Sequence, residues 1–206
     1  MPWRASARFV ADASGTVDLQ RDAPVAGSSY EGVSAMGLVW SQVPDTPGAR
    51  EQFGAVPGAA LRTDISVRRG GDAAELQGRF VQRLAGEGVT RRDVREESLV
   101  GTLYLPAGPG PHPAVMILNG SGGGINEPRA ALYASHGYAA FALAYFKAPG
   151  LSDYISNTRL EYFETALAWL HRTVRPAHGF VALSGQSRGG ELVLLLGTLF
   201  PESVSA

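Results

Sequence analysis

At 206 residues, 45% hydrophobic and 18% charged, the chain has the make-up of an ordinary soluble globular protein, long enough for one large domain or two small ones. Lysine and arginine number 18 against 19 aspartates and glutamates, for a net charge of -1, and no basic stripe or acidic tail marks a nucleic-acid or anionic-membrane partner. The absence of cysteine removes disulfides, thiolate metal sites and a cysteine nucleophile together.

Residues 1–6 contain no apolar h-region, and no apolar run is long enough to span a bilayer, so a cytoplasmic protein is the default expectation. From Trp3 to about Val94 the pattern is one of short apolar segments broken by Gly, Pro, Asp and Ser. Ala5, Ala7, Phe9 and Ala11 alternate with Ser6, Arg8 and Val10, which predicts a half-buried strand, turned by residues 12–15 into a second over 16–19. Further strands are predicted over 36–40, 64–68 and 78–84, with a turn at 43–48 after the first of these. Evenly spaced short strands indicate an all-β sandwich over residues 1–95.

Beyond about residue 95 the pattern changes. Residues 99–106 read as a strand, 107–113 as a stiff connection, and Ala114, Val115, Met116, Ile117 and Leu118 as a continuous apolar strand of the kind buried on both faces of a parallel sheet. Asn119 to Gly124 is a glycine-rich loop. Asn126 is the expected N-cap of a helix with Pro128 in its first turn, and Gly137 the residue just past its end. Residues 138–145 form another apolar strand. Thr158 and Glu161 have capping-box spacing, ahead of a helix with Leu160, Phe163, Leu167, Leu170 and Val174 on one face. Strands alternating with helices predict a doubly wound, mostly parallel α/β sheet over 96–206.

The motif with most chemical content is Gly185-Gln186-Ser187-Arg188-Gly189. With 26 glycines in the chain, a bare Gly-x-Ser-x-Gly is a weak signal. Its context is stronger: an apolar, strand-length stretch precedes it and a helix-compatible run through Leu196 follows, the strand-turn-helix frame of an α/β-hydrolase nucleophile elbow. Ser187 is therefore the candidate nucleophile. The backbone N–H of Arg188 is a candidate oxyanion donor, and the loop after residue 118 supplies a second, with Ser121 or Gly122 as first choice. That loop has no Gly-Lys-Ser/Thr ending, which argues against a phosphate cradle.

The general base is the difficulty. In the α/β-hydrolase order the acid and the His follow the serine, yet after Ser187 the sequence holds only Glu191 and Glu202, with no Asp or His. His112, His136, His171 and His178 precede it at a connection, a helix end, late in a helix and in a loop, and each reads as a surface or helix-terminal residue. Asp153 and Glu164 have no evident partner. Arg188 has two readings, steering of an anionic substrate or a pair with Glu191, and the salt-bridge or solvated one is favoured.

Two long stretches resemble a known family. Trp3, Ala7, Phe9, Ala11, Asp12, Gly15, Val17, Asp18 and Leu19, then the segments 27–33 and 36–41, are similar to the N-terminal sandwich domain of the acyl-CoA thioester hydrolases and bile acid-CoA:amino acid N-acyltransferases. The segments 120–124, 127–130, 134–139, 142–146, 160–163 and 185–192 are similar to the hydrolase domain of the same family. The resemblance implies an immunoglobulin-like sandwich followed by part of an α/β-hydrolase domain. It also implies a Ser-Asp-His or Cys-Asp-His site that acts on acyl-CoA thioesters through an acyl-enzyme. Coenzyme A would be the carrier half of the substrate; no metal or redox cofactor is expected. Members that conjugate amino acids tend to carry cysteine at the nucleophile, so Ser187 favours hydrolysis. The family pattern places strands before Trp3, and an Asp and a His after Ala206, so the chain is expected to be truncated at both ends and inactive alone. The alternatives are an acyl-CoA:amino acid N-acyltransferase, a carboxylesterase or dienelactone-type hydrolase, and a non-catalytic degenerate fragment.

Overall fold

The computed structural model describes residues 3–46, 48, 60–70 and 75–206. These fall into two compact units, one drawn from 1–54 and 63–80, the other from 55–62 and 81–206.

In the first unit, β1 (Trp3–Arg4) pairs antiparallel with β2 (Val43–Pro44). Side chains from Trp3 to Val10 alternate between partly buried and exposed, as the sequence pattern requires, yet the segment past Arg4 is not a laddered strand. Ser6 and Arg8 accept backbone bonds from Ser29 and Val25, but their own N–H groups bond the hydroxyls of Ser29 and Ser28. Side-chain oxygens thus replace half of the ladder acceptors.

The strand expected over 16–19 is instead coil leading into a turn, in which the Asp18 N–H bonds the Asp22 carboxylate while the Arg21 and Asp22 N–H groups bond the Asp18 carbonyl. The strand expected over 36–40 is a single helical turn, α1 (Gly37–Trp40). It is packed so tightly on Tyr30 that a Cβ on Gly37 would lie 2.2 Å from the Tyr30 ring. Part of the expected 43–48 turn is β2, and Pro47 lies outside the described residues. The strands expected over 64–68 and 78–84 lie within β3 (Ala60–Arg68) and β4 (Glu75–Arg83), which pair with each other, except that Leu84 falls just past the end of β4.

The second unit is built on a five-stranded mixed sheet of β5 (Thr90–Val94), β6 (Val100–Leu105), β7 (Ala114–Leu118), β8 (Ala139–Ala144) and β9 (Val181–Gly185), in the order β5-β6-β8-β7-β9. The β5–β6 and β6–β8 pairs are antiparallel, whereas β8–β7 and β7–β9 are parallel. β5 belongs to this sheet although it precedes residue 95, because its register runs from Thr90 opposite Leu105 to Val94 opposite Gly101.

Strand periodicity sorts the core into two layers. Leu103, Met116, Leu118, Phe141 and Leu143 face α3 (Leu160–Val174) and α4 (Arg188–Leu199), meeting Phe163, Leu167, Trp169, Leu170 and Leu196. Val115, Ile117, Ala140 and Ala142 point the other way, onto Ala130, Ala131 and Ala134 of α2 (Glu127–Ser135). Alanines on both sides of that contact let helix and sheet approach closely, and on the first face the Phe141 and Trp169 rings lie 4.8 Å apart.

The helix ends follow local chemistry. Asn126 caps α2 through a bond from the Arg129 N–H, and Gly137, at φ +92°, closes its far end. The expected capping box on α3 does not form. Arg159 is the N-cap, and the Thr158 hydroxyl donates to the Ile155 carbonyl instead.

Candidate active site

β9 runs through Gln186 and Ser187 directly into α4. Ser187 has φ +52° and ψ -121°, a region that L-residues avoid at a cost of about 1–3 kcal/mol. Close crossing of strand and helix imposes this conformation. A Cβ on Gly185 would lie 2.0 Å from the Gly189 carbonyl oxygen, and one on Gly189 would lie 2.5 Å from the Leu118 oxygen and 2.6 Å from that of Asn119. Only glycine fits at either position. Bonds from the Gly189 N–H to the Gln186 carbonyl (2.8 Å) and from the Gly190 N–H to the Ser187 carbonyl (2.7 Å) close the turn. Ser187 is exposed at its apex, and its hydroxyl caps no backbone donor of α4.

The loop after β7 is held against this elbow. The Tyr145 hydroxyl donates to the Asn119 carbonyl at 2.8 Å, while the Asn119 side chain accepts from the Gly120 N–H and donates to the Gly123 carbonyl. Gly123 N–H bonds Gly120, and Gly124 N–H bonds Phe146. A Cβ on Gly120 would stand 2.9 Å from the Gln186 oxygen and 3.0 Å from the Ser187 Cβ, so the loop backbone touches the serine turn. Ser121 and Gly122 follow that contact, exposed, and among the described residues neither their N–H groups nor that of Arg188 has an acceptor. All three N–H groups belong to the two segments that meet at the Gly120–Ser187 contact. The Arg188 side chain pairs with Glu191 at 2.7 Å on the surface.

A second network fixes the start of α2. Arg91 on β5 grips Glu127 with two bonds (2.6 and 3.0 Å) and also reaches Asp93, while the Tyr104 hydroxyl on β6 donates to Glu127 at 2.7 Å. The Arg91 guanidinium and the Tyr104 hydroxyl hold the Glu127 carboxyl below the usual carboxylate range, against the effect of its burial. Burial, then the bond to Glu127, pushes the Tyr104 phenol up to about 12. The adjacent N-cap, Asn126, contacts the Gln186 side chain at 3.4 Å, which links this clamp to the elbow.

None of the four histidines reaches the serine. The elbow and the glycine loop lie at the carboxyl ends of the parallel strands, whereas His112, His136 and His178 lie in segments that enter those strands at their amino ends. His171 sits near the end of α3, its Nε2 3.0 Å from the Ser203 carbonyl on the turn past the far end of α4. A five-residue strand separates the two rims by about 13 Å. Glu202 lies in that same turn, Asp153 and Glu164 are exposed, and Glu191 is paired with Arg188.

No local pattern foretells the Gly120–Ser187 approach or Asn119 as the brace of the loop. The one available signal was an Asn-Gly pair directly after a strand buried on both faces.

A mixed sheet with helices on both faces, and a serine elbow at the carboxyl end of a parallel strand, is the architecture of an α/β-hydrolase. Among solved structures the chain is similar to the thermostable carboxylesterase EstE1 from a metagenomic library (23% identity, 58% of this chain and 45% of that one, TM-score 0.45). It is also similar to the thioesterase domain from the curacin biosynthetic pathway (20% identity, 56% and 43%, TM-score 0.38).

Residues 1–96 match the family model of the acyl-CoA thioester hydrolase/BAAT N-terminal region, and residues 158–206 that of the BAAT/acyl-CoA thioester hydrolase C terminal. Acyl-coenzyme A thioesterase 6 of Mus musculus is 37% identical over all of this chain and 50% of its own length. Acyl-coenzyme A thioesterase 1 of Homo sapiens is 38% identical over 93% of this chain and 46% of its own, and the human mitochondrial acyl-coenzyme A thioesterase 2 is 38% identical over 93% and 40%. The chain belongs to the acyl-CoA thioester hydrolase/bile acid-CoA:amino acid N-acyltransferase family. It spans about half the length of the curated relatives it matches. Among the described residues, no helix is long and apolar enough to cross a membrane.

Proposed function

We propose that this chain carries the nucleophile and oxyanion elements of an acyl-CoA thioester hydrolase. The observation that supports this most is the left-handed Ser187 turn held against the Gly120 backbone. In the proposed reaction Ser187 Oγ attacks the thioester carbonyl, and the developing oxyanion takes hydrogen bonds from the Arg188 N–H and from that of Ser121 or Gly122. The tetrahedral adduct collapses with cleavage of the C–S bond. The thiol of coenzyme A leaves with a proton, and water then hydrolyses the acyl-serine to the free acid. A serine rather than a cysteine at this position supports water over an amine as the final acceptor.

The base is a group other than the four histidines, all of which lie at the opposite rim. The reading requires no metal or redox cofactor, and it retains a cytoplasmic setting. It also assigns the first unit, drawn from 1–54 and 63–80, to the immunoglobulin-like sandwich expected over residues 1–95; the two short strand pairs and the alternating burial from Trp3 to Val10 support that assignment.

A fluorophosphonate tests the reading, with imidazole added at 0.1 M order to stand in for the base. Labelling that maps to Ser187 and is suppressed by palmitoyl-CoA is expected. Labelling spread over other serines, or indifferent to palmitoyl-CoA, would refute it.

A further inference from the structure

Among the described residues, several cations lie at the elbow's rim of the sheet; Arg95, on the connection from β5 to β6, donates to the Val94 and Gly101 carbonyls at 2.6 and 2.8 Å. Arg188 is paired with Glu191 at 2.7 Å and Arg159 with Glu161 at 3.9 Å, while Arg129 is half-buried in the first turn of α2. Lys147, just past β8, is exposed, and among the described residues no carboxylate lies within ion-pair distance of it.

Its position is fixed by its surroundings rather than by a counter-ion. The backbone is left-handed at φ +48°, and its N–H bonds the Ser152 carbonyl at 2.7 Å, closing the loop after β8. The ammonium lies 5.8 Å from the centre of the Phe146 ring. A Cβ on Gly123 would come within 2.7 Å of the Lys147 Cβ and 3.1 Å of its Cδ, so the lysine stem lies along the glycine loop. The position of Gly122 opens to solvent, with nothing within 4 Å of a Cβ built there.

We propose that Lys147 binds a phosphate of the coenzyme A half of the substrate, and so sets affinity for the carrier rather than the rate of acyl transfer. This assignment rests on the thioesterase reading given above. The turn from Gly120 to Gly123 spans less than about 7 Å, which puts the lysine ammonium on the order of 10–15 Å from Ser187. That is too far to touch the thioester oxygen. It matches the separation between the sulfur and the diphosphate across an extended pantetheine arm, about 15 Å at standard bond lengths. A compact ammonium with three donors suits a phosphate, and its missing carboxylate partner leaves that charge available. The acyl chain, being neutral, has no use for it.

Calorimetric titration of the 206-residue chain with coenzyme A and with pantetheine tests the assignment. Lys147→Gln keeps most of the stem and removes the charge; it is expected to weaken coenzyme A binding by about three- to tenfold while leaving pantetheine binding unchanged. Lys147→Arg is expected to restore most of the loss. Equal coenzyme A affinity in the wild type and Lys147→Gln would overturn the lysine's role and leave the thioesterase reading standing. Equal weakening for both ligands would overturn phosphate recognition in favour of a displaced loop. A wild-type chain that binds neither ligand would overturn both readings.

Discussion

Ser187 stores backbone strain at the atom proposed to react. Replacing it by alanine removes the hydroxyl but keeps the Cβ that makes φ +52° unfavourable, whereas glycine removes both. Ser187→Gly is therefore expected to be more stable than Ser187→Ala by about 1 kcal/mol in urea unfolding, net of the entropy that glycine adds to the unfolded chain. Equal stabilities would show that the turn is relaxed in solution. Gly189 carries the complementary constraint. Its Cβ would meet two carbonyl oxygens at 2.5 and 2.6 Å, so Gly189→Ala is expected to lower stability by about 1–3 kcal/mol by forcing β7 and α4 apart. The elbow's spacing was legible in the sequence because glycine at those places has few other uses. The brace around it was not, since Asn119 and Tyr145 meet only after β7 and β8 have paired.

At the scale of elements, the clamp of Arg91, Glu127 and Tyr104 ties α2 to the antiparallel edge of the sheet and gives stability a defined pH dependence. The Glu127 carboxyl is depressed in the folded state, so its contribution is present above the unfolded carboxylate range and lost as pH falls through the folded value. The Tyr104 phenol is raised, so its contribution is full below about pH 10, the unfolded tyrosine value, and is lost as pH rises toward about 12. Tyr104→Phe is expected to flatten part of the fall in unfolding midpoint between pH 10 and 12. Tyr145 and Tyr162, also raised by burial, act in the same direction. An unchanged slope would remove Tyr104 from the clamp.

The buried parallel strands were readable because being apolar on both faces leaves little alternative to a central strand. β5 was not, because an edge strand reading Thr-Arg-Arg-Asp-Val buries only Val94 and offers no alternation to detect. The turn at 37–40 was missed for a related reason. Four apolar residues suit a strand or a helix equally, and packing on Tyr30 decided the outcome.

For the whole molecule, the outer edge of β9 is met by the final residues, with Ser205 N–H bonding Val181 and Leu183 N–H bonding Ala206. On α4, Leu194, Leu195 and Leu199 are 75%, 46% and 45% exposed, an apolar strip beside that edge. The 206-residue chain is expected to associate with rising concentration in sedimentation velocity, and Leu194→Glu with Leu199→Glu to reduce this. Concentration-independent sedimentation of the unaltered chain would count against it.

The layered α/β order could be read from the alternation of strands and helices, but the placement of all four histidines at the far rim could not. It depends on which ends of the parallel strands their connections enter, and no local pattern records that. With none of the four histidines at the elbow's rim to take the serine proton, the 206-residue chain is expected, under the proposed reading, to hydrolyse acyl-CoA slowly.

The most direct measurement is the release of free coenzyme A thiol from palmitoyl-CoA by the 206-residue chain and by Ser187→Ala, each titrated with imidazole. The account predicts a slow wild-type rate that climbs with imidazole well above the Ser187→Ala background as pH passes through about 7. Superimposable curves for the two proteins would contradict it.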